Sequence, residues 1–206
     1  MNKAQLVNLV LAMAREKAFR VETNREGLTQ IDFGSKKLHA KGLDATFLEI
    51  LEEIASPSKT NERVASDRAC NIETFHFDDN EASANELAKL VLDRKKRATA
   101  SLLWTYESEK KRIPEAGDLS IVTDFRGAEV CVIETTQVDI VAFSDVSDEF
   151  AATEGEGDGS LAYWRRAHEA FFGRECQRIR RKPAPNMPVV CERFEVVFTF
   201  EAATDA

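Results

Sequence analysis

The chain reads as an α+β protein: a small open β-barrel with helices packed over its ends, preceded by a small helical or α+β unit. Three observations predict this. Strand-like apolar runs recur at irregular spacing through the second two thirds of the chain. Two strong helical patterns are inserted among them. A polar stretch over 56–71, with Pro57, two serines and many charges, has the composition of a connector. The predicted organisation is therefore a unit over 1–55, a linker over 56–73 and a main domain over 74–201.

Residues 3–19 predict an amphipathic helix, with Leu6, Val10, Met13 and Lys17 along one stripe and Leu9 beside it. Two short strands are predicted over 28–33 and 37–41, around Gly34-Ser35. A second helix is predicted over 44–54, with Asp44 as N-cap and Phe47, Leu48, Leu51 and Ile54 as its apolar face. About 55 residues form too small a core to be very stable without docking on something. From Thr74 onward the patterning is denser. Phe75 and Phe77 alternate with His76 and Asp78, and Asp79 and Asn80 offer N-caps. Residues 82–93 predict a helix with Leu87, Leu90 and Val91 on one face. Residues 99–104 predict a strand, and 107–112 a charged loop. Gly117-Asp118 turns the chain into a strand over 119–123. Arg126-Gly127 turns it again into a long β stretch over 129–142. A short helix is predicted near 145–150, then a flexible acidic loop over 154–159. Ser160 caps a strong helix that carries Leu161, Trp164, His168 and Phe171 on one face. The last strand is predicted over 189–200, where Phe194, Val196, Phe198 and Phe200 share a face by period two.

Composition narrows the function classes. The 206 residues are 43% hydrophobic and 31% charged, as in a globular protein. Net charge is −8. Residues 1–73 balance 11 basic against 11 acidic residues, whereas 74–206 carry 17 against 25. A domain that grips long nucleic acid nonspecifically is basic overall. This balance fits a small nucleotide or nucleoside better than a long duplex, and any nucleic-acid contact must be a local basic patch. Cys70, Cys131, Cys176 and Cys191 match no zinc spacing. Cys131 and Cys191 lie in apolar runs, where a free cysteine behaves as a small core residue. Leu6–Ala14 resembles a secretory leader, but its basic flank is only Lys3 and Asn8 interrupts it. The expectation is a reduced, cytoplasmic protein with no membrane span. No phosphate-binding P-loop, dinucleotide GxGxxG or GxSxG elbow occurs. No metal site and no cofactor site is read from the sequence, and oligomeric state is left open.

The chemistry centres on Arg94–Trp104, RKKRATASLLW. Four cations stand against Thr99, Ser101 and a short apolar run, which puts positive charge at the rim of a core, where an anionic ligand would be held. Lys96 and Thr99 are three apart, a spacing at which a lysine can approach a hydroxyl. The same run also reads as a helix end whose cations face the C-terminal carbonyls. The loop Glu154-Gly155-Glu156-Gly157-Asp158-Gly159 alternates carboxylates with glycines. It lacks the calcium-loop pattern. A carboxylate beside a lysine cluster serves as a general acid or base, or the segment is simply a surface loop. Trp104 and Trp164 offer stacking surfaces or core. His168 lies on an apolar stripe and reads as a core or boundary histidine. The basic run 174–182 offers phosphate contacts or a solvated helix end.

Several stretches together resemble one family: FHFDDN (75–80), ANELAKLVL (84–92), KKRATASLLW (95–104), GDLSIVTD (117–124), CVIETTQVDIV (131–141), EFAATEGEGDGSLAYWRRAH (149–168) and MPVVCERFEVVF (187–198). In this order they resemble the ASCH domain, a relative of the PUA RNA-binding domain, over about 74–200. The resemblance implies a PUA-like barrel with helices flanking a cleft that binds RNA or nucleotides. One branch of the family hydrolyses acetylcytidine, and ribonuclease activity has also been ascribed to members. The family pattern GxKxxT falls on Arg94, Lys96 and Thr99, with arginine in place of glycine. In the amidohydrolase branch the lysine, the threonine and a loop glutamate form the catalytic set. That implies Lys96, Thr99 and Glu156, with Glu154 the alternative carboxylate. The ligand-binding set implied around them is Arg94, Lys95, Arg97, Ser101, Trp104, Glu154 and Arg193. As a base, Lys96 would need a pKa far below about 10.4; as a charged group it would be an electrostatic clamp. The leading expectation is RNA or small-nucleotide binding. The alternatives are deacylation of an acetylcytidine-like nucleoside, or metal-dependent ribonuclease chemistry on the acidic loop.

Overall fold

The structure is a computed structural model that describes residues 20–26, 28–32, 37–41 and 72–200. The chain separates into two compact units, 1–73 with 198–206 and 74–197. In the first, β1 (Arg20–Thr23), β2 (Leu28–Asp32) and β3 (Lys37–Lys41) form an antiparallel sheet in chain order. The predicted pair over 28–33 and 37–41 is present, with Gln30 opposite His39. Strand β1 was not predicted, because RVET carries one apolar residue and so shows no alternation. The turn after it is closed by Asn24, whose side chain accepts from the Glu26 N–H at 2.9 Å. The predicted helices over 3–19 and 44–54, the connector over 56–71 and Cys70 lie outside the described residues.

The second unit is built on a five-stranded sheet that curls into a half-barrel. Its strands are β4 (Glu73–Phe75), β5 (Ala98–Leu102), β6 (Leu119–Thr123), β7 (Glu129–Ala142) and β8 (Pro188–Thr199), in the spatial order β4-β6-β7-β8-β5. Its α-helices are α1 (Glu81–Leu92), α2 (Leu103–Glu109), α3 (Asp148–Glu154) and α4 (Leu161–Arg178). A single 3-10 turn over Phe143–Asp145 precedes α3. The β6–β7 hairpin turns on Asp124, whose carboxylate accepts from the Arg126 and Ala128 N–H groups. A bulge at Val122/Thr123 then sharpens its twist.

The sheet buries both faces, and period two sorts its residues between two cores. Ala98, Ala100 and Leu102 of β5 join Val189 and Cys191 of β8 under α3 and α4, against Phe150, Trp164, Phe172 and Cys176. On the other face Val122, Cys131, Ile133 and Phe194 pack with Phe77 and with Ala88 and Val91 of α1. Burial raises the Cys131 and Cys191 thiols to about 12, so both are inert core residues.

Three expectations are corrected here. Residues 99–104 are not one strand: β5 ends at Leu102 and the chain turns directly into α2, which also replaces part of the predicted loop over 107–112. No side chain caps α2, so the sequence carries no start signal for it. The buried stripe of α4 is Trp164, His168, Phe172 and Cys176, a strict four-residue step, and Phe171 lies beside it. Glu154 ends a helix, α3, instead of opening a loop.

Candidate functional site

Lys96 reaches its position through the end of α1. The helix closes with Arg94 in the left-handed region at φ 57°, and the Lys95 and Lys96 N–H groups both donate back to the Leu90 carbonyl, at 2.9 and 3.1 Å. A left-handed turn therefore forms here with arginine at the position where the family pattern has glycine. A side chain in this conformation costs about 1–2 kcal/mol, partly offset because glycine loses more freedom on folding. Arg94→Gly should therefore raise stability by about 0.5–1 kcal/mol in urea unfolding. A lower midpoint would mean that the arginine side chain itself supports the turn.

Helix α3 meets this segment from the other side. Ser147 caps it, accepting from the Phe150 N–H, and Gly155 ends it at φ 68°. The Arg97 N–H donates to the Thr153 carbonyl at 3.0 Å. Gly155 lies so close that a Cβ there would stand 2.2 Å from the Lys95 carbonyl oxygen. Gly157, at φ 56°, lies against the Tyr163 ring, where a Cβ would come within 2.4 Å. The two glycines let the loop hug both neighbours, and the glutamates beside them turn inward.

The result is a buried ionic network. The Lys96 ammonium, 1% exposed, donates to Glu154 Oε1 at 3.0 Å and to Glu156 Oε1 at 2.5 Å. Glu154 is equally buried; its other oxygen accepts from the Trp164 indole N–H. His168 Nε2 lies 3.5 Å from Glu154 Oε1. The His168 ring stacks on Trp164 at 4.1 Å, and its Nδ1 is 3.0 Å from the Trp164 carbonyl. The Phe77 ring sits 5.0 Å from the ammonium. Burial disfavours charge on Lys96, but the two carboxylates outweigh it and raise its pKa above the ordinary lysine value. Burial likewise opposes charge on Glu154, yet Lys96 and His168 pull it well below the usual carboxylate range. Burial is also the largest influence on His168, and Glu154 overcomes it, raising its pKa above the ordinary histidine value. The charged ammonium is thus the favoured form of Lys96.

Of the sequence-predicted set, the fold brings together Lys96, Glu154 and Glu156. Both candidate glutamates hold Lys96; Glu156, 16% exposed, is the one near solvent. Thr99 is half-buried on β5 and faces Glu192 across the β5–β8 pair, as Ser101 faces Val190. No hydrogen bond joins Thr99 to Lys96. Arg94, Lys95 and Arg97 are exposed beside the network. Trp104 is part of α2, packed against the core under the Arg181 guanidinium at 4.7 Å. Arg193 pairs with Asp139 at 3.1 Å and lies over Phe150. Three of the five cations of the second basic run are paired with acidic neighbours: Arg174 with Asp79 at 2.9 Å, Arg178 with Glu175 and Glu109, Arg181 with Glu107. The acidic loop does not act as one cluster either, since Asp158 is exposed and accepts from the Ser160 N–H.

Sequence reasoning missed two groups. His168 was read as core without its link to Glu154, although the Trp164/His168 step of four marked a shared face. Glu192 was missed altogether: it is 8% exposed and accepts from the Thr135 hydroxyl at 2.6 Å.

The comparisons agree with this architecture. The family model of the ASCH domain matches residues 73–198, well over half the chain. The chain belongs to the ASCH family. A crystal structure of an ASCH domain from Lactobacillus crispatus JV V101 matches it with a TM-score of 0.60 and 35% identity, over 78% of this chain and 99% of that one. A protein of Enterococcus faecalis V583 matches with a TM-score of 0.58 and 34% identity, over 62% of this chain and 77% of that one. No curated protein matches. The fold of this ASCH protein is PUA-like. Among the described residues no helix is long and apolar enough to cross a membrane.

Proposed function

We propose that this ASCH domain binds a small nucleotide or modified nucleoside next to the Lys96 network, with the base near Thr99 and any phosphate near Arg94, Lys95 and Arg97. The observation that carries the reading is the network itself. A buried ion pair contributes less to stability than apolar packing of the same volume, so one at the start of a strand points to a site. The paired arginines 174, 178 and 181 and the net charge of −8 support a small ligand over a long RNA. Calorimetry with cytidine and its monophosphate at 50 and 200 mM salt tests this. Binding should change less than tenfold with salt, where an RNA holding six to ten phosphates would lose about 10³–10⁵. Thr99→Ala, which leaves the buried ion pairs intact, should weaken binding about threefold to tenfold. Absence of binding by the folded wild type would sink the proposal.

Glu156, partly exposed beside a charged ammonium, favours a second reading, deacylation of an acetylcytidine-like nucleoside. Thr99 would attack the amide carbonyl and take the acetyl group as an ester, while Lys96 stabilises the oxyanion and Glu156 carries the hydroxyl proton to the leaving amine. Water would then hydrolyse the ester, releasing acetate and restoring the Thr99 hydroxyl. Acetate release that survives Thr99→Ala would exclude this mechanism.

A further inference from the structure

We infer that His168 is the positioning residue through which ligand binding beside Lys96 responds to pH: its imidazolium holds Glu154, and Glu154 holds Lys96. This rests on the proposed nucleoside site and adds to it a residue and a regulation. Each ring nitrogen of His168 faces an acceptor. Nδ1 lies 3.0 Å from the Trp164 carbonyl, and Nε2 lies 3.5 Å from Glu154 Oε1. Neither a carbonyl nor an ionised carboxylate can donate. A neutral imidazole has one N–H and one lone pair, so it satisfies one of these neighbours and turns the lone pair on the other. The imidazolium donates to both. The ring has little freedom to escape this choice. It is stacked on Trp164 at 4.1 Å and 15°, and it meets the Phe172 ring edge-on at 5.3 Å.

One oxygen also serves two cations. Glu154 Oε1 is the atom that accepts from the Lys96 ammonium at 3.0 Å, while the other oxygen takes the Trp164 indole N–H. Glu154 is the last residue of α3, and Glu156, the second carboxylate on Lys96, follows after Gly155. Whatever anchors Glu154 therefore anchors Lys96 and the loop beside it. Burial and Lys96 oppose the proton on His168, while Glu154 and Glu156 favour it and prevail, raising the pKa above 6.5. The sign follows. The contact is complete below about 6.5, the unfolded value, and is lost as pH rises through the higher folded value. Once His168 is neutral, the Nε2 lone pair repels Glu154, and the two carboxylates are left with one cation fewer. Lys96 and Glu156 then lose their fixed places, and a ligand resting on them binds less well.

Calorimetry with cytidine on the full chain at about pH 6 and about pH 9 tests this, since cytidine is uncharged at both. Wild type should bind about fivefold or more tightly at the lower pH. His168→Gln places an amide N–H near the position of Nε2 but does not titrate, so the ratio should fall to within about twofold. Were the ring merely structural, this variant would keep the wild-type pH dependence at a lower affinity. NMR of the His168 ring, assigned with His39→Gln and His76→Gln, carries the test should His168→Gln fail to fold. By reciprocity, bound cytidine should raise the pH at which that ring loses its proton. A ring titration that cytidine leaves unmoved would overturn the inference. Equal binding by wild type at the two pH values, or a pH dependence that persists in His168→Gln, would also overturn it and leave the nucleoside site standing. Absence of binding at both pH values would overturn the site and the inference together.

Discussion

Replacing Lys96 by methionine is expected to lower the free energy of unfolding by about 3–5 kcal/mol. Methionine fills a similar volume, so the loss is electrostatic and not a cavity. It leaves Glu154, 1% exposed, with the Trp164 indole and His168 as its donors, and deprives Glu156 of the ammonium at 2.5 Å. Breaking one side of a buried pair is far more damaging than replacing both. The double variant Lys96→Met with Glu154→Gln should therefore recover part of the loss. The pH dependence gives a second readout. The Glu154 pKa is depressed in the folded state, so its contribution is present above about 4.5 and fades as pH falls toward about 2. Without Lys96 that depression shrinks and Glu154 takes up a proton at higher pH. The gap between wild type and variant should then narrow from pH 7 to pH 4. Urea unfolding at both values measures it, and a loss under 1 kcal/mol at pH 7 would contradict the buried-pair account.

Gly155→Ala is expected to cost about 3 kcal/mol, the second large effect. Two penalties add: a side chain at φ 68°, about 1–2 kcal/mol, and a Cβ driven into the Lys95 carbonyl, about 1–3 kcal/mol. Gly159 separates them. It has a similar φ of 72° but open space around its Cβ, so Gly159→Ala should cost only about 1 kcal/mol. Equal losses at the two positions would mean that the backbone contact at Gly155 yields easily. Because Gly155 lies between Glu154 and Glu156, Gly155→Ala should also loosen both from Lys96 and weaken ligand binding along with stability.

The sequence revealed whatever depended on neighbours along the chain. Strands β6 and β7 were predicted with their observed limits, because alternation there is bounded by Gly117 and Gly127, both at positive φ. The caps Asn80 and Ser160 were visible for the same reason: each acts on a residue three positions on. Strand β1 and helix α2 escaped because one has a single apolar residue and so no alternation, and the other no cap. Within the site, the basic run with Lys96 and Thr99 and the loop glutamates were picked out by residue type and spacing, the family resemblance fell on the same positions, and the turn forms with arginine at position 94. What no local pattern could show was which charges neutralise one another. Arg174 meets Asp79 across 95 positions, and Lys96 meets Glu154 across 58. Two basic runs that look alike in sequence therefore differ in kind, one largely neutralised and one still exposed. Glu192 escaped because a charged residue within an apolar strand reads as outward-facing until its packing is seen.

The Lys96 network has a consequence for where a ligand's own charge can go. Lys96, with His168 whose pKa Glu154 raises, stands against Glu154 and Glu156, so positive and negative groups offset one another within the set. An uncharged group can settle beside such a set without disturbing it. A phosphate cannot, since it would import negative charge next to two carboxylates in a medium that screens poorly. The exposed trio Arg94, Lys95 and Arg97 lies immediately outside, within the screening of water and salt. In the proposed site a nucleotide would therefore lie with its neutral base inward and its anionic end at the surface. A free nucleoside and its monophosphate should then occupy the same inner position and differ mainly in how strongly salt affects them.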